Sequence, residues 1–328
     1  MSDYSSDEKH AASAARRTLL KGAGALAASL VLPTAAFAQG DAKTLRIGYQ
    51  KYGNFVVLKA RGTLEKRLAA QGVAVQWLEF PAGPQLLEGL NAGAVDVGTV
   101  GETPPIFAQA AGVDFVYIGN EPPAPHGEAI VVPENSPIKT VAELRGKKVA
   151  FNKGSNVHYL LVKALQQAKL TYADIQPVYL APADARAAFV QGSVDAWVIW
   201  DPYLAAIERQ ANARVIANGD GLVRNTQYYL SARKFATAQP QLLRELLAEL
   251  DSVDKWGRDN VPEVARLLSP LVGLEAPTLE VALKRTAYGV QPVTAETLAY
   301  QQQIADTFNE LKLIPKKLVV SDARWVTA

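Results

Sequence analysis

The chain has 328 residues, of which 49% are apolar and 20% charged, so it can bury a sizeable core and is not a disordered polymer. Its 34 basic and 32 acidic residues leave a net charge of +2, far from the clustered basic excess of a nucleic-acid binder. Cysteine is absent and only three histidines occur, His10, His126 and His158, which excludes disulfides, thiolate metal sites and thiol nucleophiles and argues against a histidine-rich metal centre.

Residues 1–38 read as an export address and not as fold. Arg16-Arg17-Thr18-Leu19-Leu20-Lys21 supplies a basic start. Residues 23–32 are an apolar stretch, and Ala36-Phe37-Ala38 is a small-x-small cleavage site. The paired arginines fit the twin-arginine pattern; a Sec signal with two chance arginines is the alternative. The apolar stretch is shorter than the ~20 residues that a membrane span needs, and no later segment reaches that length. Cleavage would leave 290 residues starting near Gln39, near neutrality at +1, in a bacterial periplasm.

Beyond the address, residues 44–49 alternate apolar and polar side chains and predict a strand. Residues 50–54 form a polar loop, 55–70 one helix with Leu58, Leu64 and Leu68 on one face, and 73–80 the next strand. A short helix at 85–91 and a strand at 95–100 follow. The pattern returns as strand 148–152, helix 157–169, strand 176–180, helix 183–191 and strand 196–200. Strands alternating with helices predict parallel βαβ units, hence an α/β fold. From residue 241 the chain reads as mostly helical, with starts at Pro240 and Pro262 and breaks at Gly273 and Pro277.

Two stretches echo each other. Gly93-Ala94-Val95-Asp96 and Gly192-Ser193-Val194-Asp195 each follow a helix and lead into a short apolar strand. Each then reaches an acid nine residues past its glycine, Glu102 or Asp201, and then proline. The turn alone is common at helix C-termini. The repeated strand length and acid-Pro ending point to two similar halves facing each other across a cleft, with a hinge. The proline-rich run at 120–127 reads as a crossover, and a return strand near 227–231 re-enters the first half. The expected lobes are 43–124 plus 229–328, and 125–228.

Candidate ligand contacts sit in loops after strands. Gln50 and Asn54 follow the first strand and are neutral donors. Gly101, Glu102 and Thr103 end another strand of the first lobe. In the second lobe Gly154, Ser155 and Asn156 open a helix, where free N–H groups attract anions, and His158 lies in its first turn. An ordinary N-cap is the plainer reading of Ser155. Trp200 and Tyr203 suit an aliphatic tail, or core packing. Asp201 could accept from a ligand ammonium or pair with a base such as Arg186. Glu102 and Asp201 make a poor catalytic pair, since they lie in opposite lobes with no nucleophile or metal cluster beside them. There is no Walker loop, so no nucleotide or other cofactor is expected.

Several of these runs resemble a known family. Arg46-Ile47-Gly48-Tyr49-Gln50-Lys51, Glu79-Phe80-Pro81-Ala82-Gly83-Pro84-Gln85, Pro104-Pro105-Ile106-Phe107-Ala108-Gln109 and Trp200-Asp201-Pro202-Tyr203 are similar to periplasmic aliphatic sulfonate-binding proteins, the soluble receptors of sulfonate ABC importers. Glu134-Asn135-Ser136-Pro137-Ile138-Lys139 and Pro182-Ala183-Asp184-Ala185-Arg186 extend the likeness, which runs from residue 45 to about 325. It implies a two-lobed type II periplasmic-binding fold, shared with nitrate- and taurine-binding receptors. It also implies an alkanesulfonate ligand and an ABC permease partner with a separate ATPase. A monomer suits hinge closure, and no nucleic-acid or membrane partner is implied after signal cleavage. The loops Tyr52-Gly53-Asn54-Phe55 and Gly154-Ser155-Asn156-Val157 depart from the Gly/Ser-rich forms common in that family, and Gly101-Glu102 departs from Gly-Asp. These departures bear on which sulfonate is preferred. Taurine, nitrate, a small-acid lyase on the same fold and a signalling receptor are the other readings.

Overall fold

The computed structural model describes residues 43–326; the segment read as an export signal lies outside them. Ten strands make two five-stranded sheets. The first contains β1 (Lys43–Tyr49), β2 (Val73–Glu79), β3 (Val97–Val100), β4 (Phe115–Asn120) and β10 (Tyr228–Ala232), in the order β2-β1-β3-β10-β4. The second contains β5 (Glu128–Val132), β6 (Lys148–Phe151), β7 (Gln176–Tyr179), β8 (Ala196–Trp200) and β9 (Arg214–Asn218), in the order β7-β6-β8-β5-β9.

The two sheets have the same plan. β1 pairs parallel with β2 and β3, as β6 does with β7 and β8. Each sheet then takes one reversed strand from across the molecule: β10 lies antiparallel between β3 and β4, and β5 antiparallel between β8 and β9. The sheets are therefore mixed, where sequence alternation predicts only parallel units. Strands 115–120, 128–132 and 214–218 are additional to the predicted set.

The echoed aspartates do the same job in both sheets. Asp96 N–H donates to Arg46 O at 2.8 Å, and its carboxylate accepts from the Arg46 N–H at 2.9 Å and from the guanidinium. Asp195 pairs likewise with the backbone of Lys148, whose N–H it takes at 2.8 Å. Each side chain ties the start of a central strand to its neighbour, which fixes where that strand's C-terminal end emerges.

Helices cover both sheets. Those of the first are α1 (Asn54–Arg61), α2 (Thr63–Ala69), α3 (Gly83–Asn91) and α4 (Pro104–Ala110). Those of the second are α5 (Asn156–Gln167), α6 (Pro182–Val190) and α7 (Tyr203–Ala211). The single helix expected over 55–70 is two, because Gly62 adopts φ +62° and ends α1 with its N–H bonded to Leu58 and Lys59 carbonyls. The C-terminal part is α8 (Arg233–Ala238), α9 (Pro240–Asp259), α10 (Val261–Val272), α11 (Ala276–Arg285) and α12 (Ala295–Glu310). Gly273 ends α10 as expected, whereas Pro277 lies in the first turn of α11, where its missing N–H costs no bond.

Two crossovers join the halves and run side by side. Glu121 N–H donates to Gln227 O, Ala124 N–H to Arg224 O, and Gly219 N–H to Pro125 O, at 2.9–3.0 Å. A Cβ on Gly219 would stand 2.5 Å from Pro125 O, so only glycine allows the approach. The core runs through both halves. β3 and β8 are buried along their whole length, and Phe308 of α12 packs against Phe107 of α4 and His158 of α5.

Candidate anion pocket

A pocket with about 250 Å³ of empty space, mouth included, lies where the strand ends of the two sheets meet. Gln50 and Tyr52 reach it from the loop after β1, and Gly101 from the end of β3. Gly83 and Pro104 bring the starts of α3 and α4. Ser155 and Asn156 bring the start of α5, Trp200 the end of β8, and Gln227 the second crossover. Ligands of open α/β sheets sit beyond the C-terminal ends of strands, and this pocket does so for both sheets at once.

The electrostatics come from backbone. α3, α4 and α5 all begin at the pocket; α4 opens with Pro104-Pro105, which have no N–H, and its Ile106 N–H goes to Thr103 O at 3.0 Å, whereas α3 and α5 bring first-turn N–H groups with no side-chain cap. Ser155 is the N-cap of α5, yet its hydroxyl donates instead to Asn152 O at 2.7 Å. Uncapped helix starts leave partial positive charge and free donors, which an anion satisfies. Among the described residues, none of those lining the pocket is a lysine or arginine.

The side chains are more committed than their types suggest. Gln50 spends one amide proton on Thr99 O at 3.0 Å and keeps the other. Asn156 Nδ2 donates to Glu128 Oε2 at 2.5 Å and to Asn225 Oδ1 at 2.8 Å, so both its protons are used inside the protein. What Asn156 can offer an anion is its backbone N–H. It also packs on Gly101: a Cβ there would lie 2.9 Å from Asn156 Cγ and Oδ1. This is a point where the two halves touch, and glycine permits it.

Buried carboxylates stand behind the pocket. Glu102 is fully buried, and its Oε2 accepts from the Thr226 N–H at 3.0 Å while Oε1 has no partner. Burial pushes its pKa up to about 7, against the pull of the Thr226 and Asn225 N–H groups and of Arg224. Glu128 is raised well above the usual range by burial and by the field of Glu102. Asp201 is also raised to about 7 by burial. Its Oδ1 accepts from the Ala205 N–H at 3.0 Å and lies 3.6 Å from Arg285. Its basic partner is thus Arg285 and not Arg186, which binds Gln210. Asp201 serves the start of α7, and it does not line the pocket.

Of the sequence candidates, Gln50, Gly101, Ser155, Asn156 and Trp200 come together at the pocket. Others are set apart. Asn54 turns away, donating to Asp254 Oδ2 at 3.0 Å and Ala287 O at 3.3 Å. Thr103 is wholly buried with its hydroxyl unpartnered. Gly154 gives its N–H to His158 Nδ1 at 3.2 Å. His158 is a core residue inside Phe107, Phe151, Phe308 and Tyr172, its pKa lowered to about 3 by burial and by the charge of Lys153. Tyr203 stands edge-on to Trp200 at 6.3 Å, outside the pocket wall. Tyr52, Gly83, Pro104 and Gln227 are additional. Tyr52, in the loop after β1, and Pro104, at the start of α4 just after β3, lie where the strand-end rule already points, while Gln227 arrives from a crossover and has no local signal.

A wider cavity, about 940 Å³, lies on the outer side of the crossovers among His126, Asn218, Lys284 and Arg285, and it collects none of the candidate residues. Among the described residues no cluster of three or more His, Asp or Glu could hold a metal. No described helix is long and apolar enough to cross a membrane.

Comparison with known proteins agrees with this layout. The chain is 48% identical over 304 residues to an aliphatic sulfonates-binding protein of Escherichia coli K12, covering 92% of this chain and 95% of that one. The alkanesulfonate-binding protein SsuA from Xanthomonas axonopodis pv. citri, solved bound to MOPS, superposes with a TM-score of 0.83 at 43% identity over 86% of this chain and 98% of that one. The periplasmic aliphatic sulphonate binding protein SsuA from Escherichia coli gives 0.80 at 48% identity, over 87% and 93%. All three of these relatives are named as binding proteins. The family described as NMT1/THI5 like matches residues 68–252, more than half of the sequence, and the chain belongs to that family.

Proposed function

We propose that the protein is a periplasmic receptor that takes an aliphatic sulfonate into the pocket between the two sheets and passes it to an ABC permease driven by a separate ATPase. The observation that carries this reading is a pocket bounded by the uncapped starts of α3 and α5 with no cationic side chain among its lining residues. A sulfonate stays ionised at physiological pH, so its site needs donors and gains nothing from a base. Backbone amides at helix starts, with the spare Gln50 proton, stabilise such a charge without a lysine. The names of the 43–48% identical relatives support the ligand class and the compartment.

In this reading lobe 43–124 plus 229–328 closes on lobe 125–228 about the paired crossovers. Residues 1–38 direct export through the twin-arginine route, and the receptor works as a monomer. Glu102 and Thr103 support the first-lobe loop from behind, and Trp200 meets the first carbons of the ligand. Asp201, already held by Arg285 and the start of α7, is poorly placed to receive a taurine ammonium.

A thermal-shift screen tests the ligand class, because a ligand that binds only the native state raises the melting temperature. Alkanesulfonates should raise it, and sulfate and nitrate should not. A shift with taurine alone, or with nitrate alone, would replace this reading.

A further inference from the structure

Glu102 and Glu128 approach the anion pocket from the two halves. Glu102 follows Gly101, which lines the pocket, and Glu128 holds the amide of Asn156, which also lines it. Both carboxyls are wholly buried, and each has one oxygen, Oε1, without a partner. Among the described residues neither has an ion-pair partner. The Arg224 guanidinium, whose field reaches Glu102, is bound to Glu296 at 3.0 Å and lies over the Tyr300 ring. An anion in the pocket therefore adds negative charge beside two buried acids with no cation to neutralise it.

We propose that Glu102 is a proton site coupled to the pocket: capture of a sulfonate draws a proton from solvent onto its carboxyl, and release returns it. The inference rests on the receptor reading and adds a second ligand, the proton, to the first. Consecutive Cα atoms are ~3.8 Å apart, so an anion against Gly101 lies roughly 10 Å from the Glu102 carboxyl. At an effective dielectric of about 20, a unit negative charge at that distance strengthens the hold on a proton by about tenfold. The sulfonate itself does not titrate near neutral pH, so any pH dependence belongs to the protein. The titratable or charged groups facing Glu102 are Glu128 of β5, Tyr159 of α5, Tyr228 of β10, Tyr300 of α12 and Arg224 of the second crossover. Burial raises all three tyrosines, which stay neutral. Glu128 is raised well above the carboxylate range by burial and by Glu102, and it keeps its proton. Glu102, raised to about 7 by burial, is the group poised to exchange. Below pH 7 it is already protonated and binding is tightest; as pH rises past that value the free protein loses the proton, binding has to restore it, and affinity falls.

The test is calorimetric titration with ethanesulfonate in phosphate and in Tris, whose heats of ionisation differ widely. At about pH 7.5 the difference in observed heat should report uptake of about half a proton per sulfonate, and affinity should fall about fivefold from pH ~6 to ~8.5. Asp201, also raised to about 7 but faced by Arg285, is the control. Glu102→Gln should lose the uptake and flatten the affinity profile, whereas Asp201→Asn should keep both. Melting curves check that the variants are folded. If Glu102→Gln does not fold, Glu102→Asp moves the carboxyl and should shift the pH at which affinity falls. Binding without proton uptake in the wild type overturns the proposal and leaves the receptor reading standing. Uptake that persists in Glu102→Gln, disappears in Asp201→Asn, or keeps its midpoint in Glu102→Asp also overturns it. If ethanesulfonate and its longer homologues all fail to bind, the receptor reading itself falls and the proton site with it.

Discussion

Gly101→Ala is the sharpest probe of how the two halves meet. The backbone at Gly101 lies outside the left-handed region, so alanine brings no conformational penalty. Its methyl group would stand 2.9 Å from Asn156 Cγ and Oδ1 and 3.0 Å from Cβ. Ordinary carbon contacts begin near ~3.5 Å, so the overlap is about half an ångström. Asn156 cannot swing aside cheaply, because Glu128 and Asn225 hold its amide at 2.5 and 2.8 Å. The clash is therefore relieved by parting the halves or by breaking those bonds. Overpacking of this sort costs about 1–3 kcal/mol. At about 1.4 kcal/mol per factor of ten, that is a loss of roughly 5- to 150-fold in affinity. A state with the halves apart has no clash, so the melting temperature without ligand should stay within a degree or two of wild type. Calorimetric titration with ethanesulfonate, paired with unliganded melts, separates the two effects. Wild-type affinity in the variant would refute the reasoning. So would an unliganded melt lowered as much as the lost affinity requires, which would mean that the contact does not depend on closure.

Two further predictions concern the buried polar groups. Asn156→Ala leaves Glu128 Oε2 and Asn225 Oδ1 without their shared donor, a cost of about 1–3 kcal/mol and so a melting temperature lower by about 2–12 °C. Asn156→Asp should be worse than alanine at pH 8, because it sets a carboxylate against Glu128; equal melts would show that the amide is not doing this. Stability should also fall as pH rises from 5.5 to 8. Glu102 and Asp201, with folded values near 7, still hold their protons at pH 5.5 while their unfolded counterparts are ionised. Each loses about 2 kcal/mol of stabilisation as pH rises through its folded value. His158 opposes them: with a folded value near 3 it loses stability as pH falls below 6.5, by about 1 kcal/mol at pH 5.5. The net is greater stability at pH 5.5, and urea melts that place the maximum at pH 8 would contradict these assignments.

Much of the fold was legible because parallel strands buried on both faces announce themselves as short apolar runs between amphipathic helices. The echo of Asp96 and Asp195 located both central strands, and the structure supplies the reason: each aspartate ties its strand to the neighbouring one. The strands that escaped notice, such as Phe115–Asn120 and Glu128–Val132, flank the proline-rich crossover, and their antiparallel partners are far away in sequence, from Trp200 for Glu128 to Ala232 for Phe115. Gly62 was absorbed into one helix because glycine inside a periodic run is tolerated often enough to hide a break. The site was legible as a set of loops, since ligands gather at strand C-termini. The direction of each polar side chain was not. Asn54 finds Asp254 two hundred residues away, His158 sinks among aromatic rings, and the amide of Asn156 faces Glu128. Such choices depend on which buried group most needs a partner, and that is settled only once the halves have folded.

The most direct test is a crystal structure of the protein with ethanesulfonate. The sulfonate should lie between Gly101 and the start of α5, its oxygens about 3 Å from first-turn N–H groups and the Gln50 amide, with no lysine or arginine in contact. A sulfonate found instead against Lys284 and Arg285 in the outer cavity, or ion-paired with any basic side chain, would contradict the account.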